Sequence, residues 1–175
     1  MNFQSSALKS SEAEIGHWTL LGVLAAAATA IQIIESPLPR FLPWLKPGLS
    51  NAVVLFGIMR VSPSFGFKIV FLRTFLTGLF LGILFSPANA LSLVGGVAAA
   101  LTMAIAFKWC SSLFSVYGVS VLGAVSNNFA QLASVGTMFG GGIPWWLNVS
   151  IMMWIAIPSG LIVAGITKEL LRRTS

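Results

Sequence analysis

Apolar stretches too long for a small soluble core recur along this chain, at residues 18–34, 49–59, 65–85, 88–107, 117–139 and 147–167. At about 1.5 Å of rise per residue, each of the last four approaches the ~30 Å hydrocarbon core of a bilayer. Only 8% of the 175 residues are charged while 57% are hydrophobic, and a soluble domain near 25% charged has the polar surface that this chain lacks. The expected fold is therefore all-α, an integral membrane bundle of six transmembrane helices over residues 18–167. A cytoplasmic N-terminal tail (1–17) and a basic cytoplasmic C-terminal tail (168–175) flank it. The second run is short, because eleven residues reach only about 16 Å. It must be tilted, extended by its flanks, or a half-helix beside a protein-lined cavity.

Ala28, Thr29 and Ala30 resemble a leader cleavage site, but the preceding segment holds Lys9, Glu12 and Glu14 instead of a basic flank. The first run is expected to be retained as a transmembrane helix. Six spans put both termini on one side together with Arg60 and Lys108. Lys9, Lys168, Arg172 and Arg173 join them, with Lys68 nearby, and only Arg40 and Lys46 fall opposite. The excess of positive charge assigns the termini to the cytoplasm and the chain to an inner, cytoplasmic membrane.

The composition excludes several classes of chemistry. The chain has four Glu and no Asp, so a carboxylate-bridged magnesium site, a paired-aspartate diphosphate motif and a Ser/His/Asp triad are not expected. Cys110 is the one cysteine, too few for a disulfide or a Cys-based metal site. His17 has no second ligand near it. No phosphate-binding loop is found. The net charge of +6 is spread between the apolar runs, which is not the clustered basic face that nucleic acid needs. No cofactor, metal or catalytic residue is expected.

Polar groups retained within apolar runs are costly and carry the information. Arg73 lies eight residues into its run, about 12 Å deep, and needs an internal partner. It either binds an anionic or carbonyl-rich ligand or is satisfied by backbone and amide groups. Prolines 37, 39, 43 and 47 stiffen the segment ahead of the second run, which reads as a lid or as an interfacial loop anchored by Phe41 and Trp44. Pro47 marks a helix start, so Asn51 and adjacent Lys46 belong to a positive helix end able to seat an anion. Asn127, Asn128 and Gln131 sit near the midplane of the fifth run, as substrate contacts or as hydrogen bonds between helices. Glu35, at i, i+3 from Gln32, is read as a boundary residue paired with Arg40 or Lys46, or alternatively as a counter-charge in the pocket, with the first reading favoured.

Small residues permit close helix approach at Gly78 and Gly82, Gly95 and Gly96, and Gly118 and Gly123. Ala26 and Ala30 belong to a smooth face of the first helix, which packs internally or docks a partner helix.

These same residues resemble a known bacterial family. Pro43, Lys46, Gly48, Leu49, Asn51 and Leu55 fit a loop-to-helix signature of the form PGxKLGLANxxTL, from which Trp44 and Pro47 depart. Leu72 and Arg73 followed by Gly78 and Gly82 are similar to its LR…G…G helix, and Ser92, Leu93, Gly95 and Gly96 to its SLxGG element. Residues 117–132 resemble its GVSxxGAxxHNxxQL motif, with Asn127 where the pattern has His. The family is called Gx transporter, or heptaprenyl diphosphate synthase component I. The resemblance implies the architecture of the six-helix substrate-binding S components of energy-coupling-factor importers, while the absence of Asp speaks against the catalytic role in the family's synthase name. On that footing the chain is a transporter-type subunit that binds a small molecule from the outer side through Glu35, Lys46, Asn51, Arg73, Asn127, Asn128 and Gln131, while Ala26 and Ala30 meet a partner. Its expected partners are the lipid bilayer, the substrate, and an energising ATPase module or a redox membrane complex, with no nucleic acid. The alternatives are a non-transporting assembly subunit and an accessory protein of isoprenoid or quinone biosynthesis.

Overall fold

The apolar runs fold as helices. The computed structural model describes residues 3–36, 48–109, 113–138 and 145–174, with side chains from 14 onward in the first helix and from 148 onward in the last. Among the described residues there are six helices and no strand: α1 (Phe3–Glu35), α2 (Asn51–Arg60), α3 (Pro63–Phe80), α4 (Pro87–Trp109), α5 (Val116–Met138) and α6 (Trp145–Thr174). The polar flanks do not stay outside the helices. α1 continues N-terminally from the first apolar run to Phe3, and α6 continues past the last run to Thr174.

Three helical stretches, Glu14–Glu35, Pro87–Trp109 and Asn148–Thr174, are long and apolar enough to cross a membrane. α3 and α5 have the length, but buried polar residues such as Arg73, Thr74 and Thr77 on one and Asn127, Asn128 and Gln131 on the other dilute their hydropathy. The protein also exposes large apolar side chains around its waist, among them Val23, Phe71, Phe75, Leu101, Phe129 and Trp154. Helices apolar on both inner and outer faces suit a bilayer.

Two Ser-Pro pairs start helices. Ser62, in extended backbone, accepts from the Phe65 N–H at 3.2 Å with Pro63 as the first helical residue. Ser86 accepts from the Asn89 N–H at 3.2 Å ahead of α4, so in both cases a hydroxyl satisfies an orphan donor where proline has none to offer. α3 was expected to reach residue 85, with Gly82 serving helix packing. Instead Gly82 adopts φ +66°, its N–H meets the Leu79 carbonyl at 3.3 Å, and the Ile83 N–H reaches back to the Gly78 carbonyl at 2.8 Å. This paired closure is a Schellman cap, and it needs a left-handed residue at that position.

α2 is ten residues long, about 15 Å, and Asn51 through Ile58 are all buried. It packs against each of the other five helices, which explains its length: a segment wrapped in protein need not span a bilayer. Val53, Val54, Leu55 and Ile58 form the core with Phe65, Ile69 and Val70 of α3 and Ala99, Ala100 and Met103 of α4. Small side chains let the helices close in. A Cβ on Gly66 would lie 2.3 Å from Ile58 Cγ1, and one on Gly123 would lie 2.6 Å from Met103 Cγ.

Contacts at one end fix the alternating direction of the helices. Arg60 Nη2 donates to the Thr174 carbonyl at 3.3 Å, Lys68 lies over the Trp18 ring at 5.1 Å, and Lys168 over Tyr117 at 5.8 Å. The basic residues thus gather at the end that holds the beginnings of α3 and α5 and the ends of α2 and α6. The end of α1 and the beginning of α2 lie at the other.

Candidate functional site

Five helices and the turn into α2 bring their polar residues to one buried cavity toward the opposite end. α1 contributes Gln32 and Glu35, one turn apart on its last residues. Gln32 Nε2 donates to Ser92 Oγ of α4 at 3.0 Å. Entry into α2 is set by Gly48, whose φ of +70° permits a tight turn with the Asn51 N–H on the Gly48 carbonyl and the Ala52 N–H on the Leu49 carbonyl, both at 2.9 Å. The Leu49 N–H donates to the Glu35 carboxylate.

The α2 N-terminus does not present a set of free N–H groups to an incoming anion, because those of Leu49, Asn51 and Ala52 are engaged and the anion there is Glu35. Glu35 is only 3% exposed and lines the cavity. Arg40 and Lys46 lie outside the described residues, as do Cys110 and the proline-rich segment.

Arg73 is buried at 3% exposure and finds its internal partners on α2. Its Nη1 donates to Ser50 Oγ at 2.7 Å and its Nη2 to Asn51 Oδ1 at 2.8 Å. Glu35 stands close enough for the two charges to attract. Gly96 makes room for the guanidinium, since a Cβ there would lie 2.9 Å from Arg73 Nη2.

α5 supplies Asn127 and Gln131, four residues apart and on one face. Gly95 of α4 lies against both: a Cβ would sit 2.6 Å from Gln131 Nε2 and 2.7 Å from Asn127 Oδ1. Asn128 is separate. It is buried in the seam between α5 and α6 beside Val125 and Met152, and its Oδ1 accepts from Asn127 Nδ2 at 3.2 Å. One residue is a 100° turn of the helix, so Asn128 holds Asn127 from behind and does not itself line the cavity.

The cavity measures about 20 Å³, where a single water needs roughly 10–15 Å³ on the same kind of measure. Its wall mixes donors and acceptors from four amide side chains (Gln32, Asn51, Asn127, Gln131), two hydroxyls (Ser50, Ser92), one guanidinium and one carboxylate. Two wall residues carry polar atoms without hydrogen-bond partners, Gln32 Oε1 and Arg73 Nε. Ser50 and Ser92 were not singled out as site residues from sequence. The signal for Ser50 was its place beside Asn51 at a helix start, and for Ser92 its place one turn before Gly95 and Gly96.

His17 packs edge-on against Phe65 with ring centroids 5.0 Å apart, away from this cavity. Ala26 and Ala30 are exposed on α1, and a Cβ on Gly22 of the same face would meet nothing within 4 Å.

A family model described as heptaprenyl diphosphate synthase component I matches residues 24–170 of the chain. Nothing among curated proteins or solved structures matches it.

Proposed function

The chain belongs to the heptaprenyl diphosphate synthase component I family, and from that starting point we propose that it is a transporter-type membrane subunit. In this reading it is a six-span bundle like the S components of energy-coupling-factor importers, seated in the inner membrane with both termini cytoplasmic. It takes a small molecule from the outer side into the Arg73 cavity, and a partner supplies the energy. One observation carries the proposal: residues far apart in sequence, Gln32, Glu35, Asn51, Arg73, Asn127 and Gln131, line a single buried cavity. Polar groups used only as glue between helices would pair off among themselves, whereas Gln32 Oε1 and Arg73 Nε are left unpaired here. The exposed Gly22, Ala26 and Ala30 face supports docking of a partner helix.

The test is a thermal-shift screen of the purified protein against vitamins, flavins, quinone precursors and prenyl phosphates. A compound that raises Tm for the native chain and not for Arg73→Ala supports the proposal. Silence across the panel together with unchanged stability of Arg73→Ala overturns it.

The family description favours a second reading, a non-catalytic component of a prenyl-diphosphate synthase assembly. The absence of Asp argues against a diphosphate held through magnesium within this chain. That reading expects deletion to lower prenyl-chain products with uptake unchanged. Co-purification in mild detergent separates the two, since an ATPase module, a prenyl synthase or a redox complex would each identify a different assembly.

A further inference from the structure

The cavity has an apolar neighbour one residue further round the same two helices. Arg73 of α3 and Ser92 of α4 line the cavity. The next residue on each, Thr74 and Leu93, lines a groove of about 320 Å³ whose other walls are Phe71, Phe75, Leu84, Phe85 and Asn89. Phe71 and Phe75 are half exposed at this surface, on the belt that faces lipid in the proposed reading. Unsatisfied groups lie on both walls, Gln32 and Arg73 on the cavity and Thr74 and Asn89 on the groove. The buried side-chain atoms without partners among the described residues are Gln32 Oε1, Arg73 Nε, Thr74 Oγ1, Thr77 Oγ1 and Asn89 Oδ1, and they belong to α1, α3 and α4 alone. Native structures leave few such atoms unpaired.

We infer that the ligand is an amphipath, with a small uncharged head in the Arg73 cavity and an apolar chain that leaves between α3 and α4 to lie in this groove. The inference rests on the binding role proposed for the cavity. Three observations select the head. Glu35 lines the cavity and already occupies the N-terminal end of α2, so an added anion would meet a resident carboxylate. The space of about 20 Å³ suits a group about the size of a water. The unpaired atoms include an acceptor, Gln32 Oε1, and a donor, Arg73 Nε, which calls for a head that both donates and accepts, such as a carboxamide or hydroxyl.

The test uses the full chain in nanodiscs and a decanamide bearing a chain diazirine. The expected photolabel falls on Phe71, Phe75 or Leu93, and decanamide competes for it better than decyl phosphate by about tenfold in apparent affinity, while decane does not compete. Leu93→Trp, which fills the groove, removes the label. Phe71→Trp on the opposite wall replaces it if that variant does not fold. Equal competition by decyl phosphate shows an anionic amphipath, equal competition by decane shows ordinary lipid, and either overturns the inference while leaving the cavity proposal standing. Protection lost in Arg73→Gln but kept in both tryptophan variants also leaves the cavity and rejects the groove. Labelling indifferent to Arg73→Gln and to both tryptophans rejects the two together.

Discussion

Arg73 Nη2 donates to Asn51 Oδ1 across 2.8 Å, joining the buried cation of α3 to the first residue of the enclosed helix α2. Together with the Ser50 bond at 2.7 Å, it makes the guanidinium a clamp on the start of that helix, while Glu35 holds the residue just before through the Leu49 N–H. The two charged side chains therefore grip one turn from two sides.

Removing the cation should cost more than its hydrogen bonds. Bonds to a charged donor are worth roughly 1.5–3 kcal/mol each, and Arg73→Met also removes the attraction between Arg73 and Glu35. The expected result is a lower Tm in detergent for Arg73→Met, partly restored in the double variant with Glu35→Gln, with a favourable coupling above about 0.5 kcal/mol in the double-mutant cycle. Strict additivity would show that the two charges do not share a site.

The glycines of α4 and α1 should respond oppositely to alanine. At Gly95 the added Cβ meets Gln131 Nε2 at 2.6 Å and Asn127 Oδ1 at 2.7 Å, so both cavity amides must move. Overpacking of this kind costs about 1–3 kcal/mol. Gly22→Ala meets nothing within 4 Å and gains helix propensity of up to about 1 kcal/mol. Thermal denaturation should place the first variant below the native protein and the second at or above it.

Gly82→Ala tests the end of α3. With φ at +66° and nothing within 4 Å of an added Cβ, the cost is backbone strain alone, about 1–2 kcal/mol. Gly82→Asn, which tolerates the left-handed region, should lose less. Equal stability of all three proteins would mean that the cap contributes nothing measurable.

Much of this architecture was legible because burying a polar group in an apolar helix is expensive. Arg73, Asn51, Asn127 and Gln131 stood out against their runs, and the structure brings them to one wall. The short second run was equally readable as a segment needing protein around it. What could not be read depends on tertiary placement or on single-residue steps around a helix. The Glu35 contact to the Leu49 N–H joins residues fourteen apart. Asn127 and Asn128 are chemically alike, and only a 100° step sends one to the cavity and the other to the α5–α6 seam. Thr77 and Asn89 look like ordinary helical polar residues, and nothing in the sequence says that their oxygens lack partners.

That last feature yields a stability prediction opposite in sign to most buried substitutions. Thr77 is 2% exposed and its Oγ1 has no partner, although a helical threonine ordinarily bonds a carbonyl of the preceding turn, as Thr29 does to Ala25 at 2.7 Å. Replacing it with valine keeps the shape and removes a desolvated hydroxyl, whose burial without a partner costs about 1–3 kcal/mol. Thr77→Val should therefore be as stable as the native protein or more so, whereas Thr29→Val, which loses a formed bond, should be no more stable than native. Denaturation of the two variants in the same detergent decides the matter. A Thr77→Val protein clearly less stable than native would mean that this hydroxyl is satisfied by a bound water or ligand, and that the seam between α3 and α4 is occupied in the working protein.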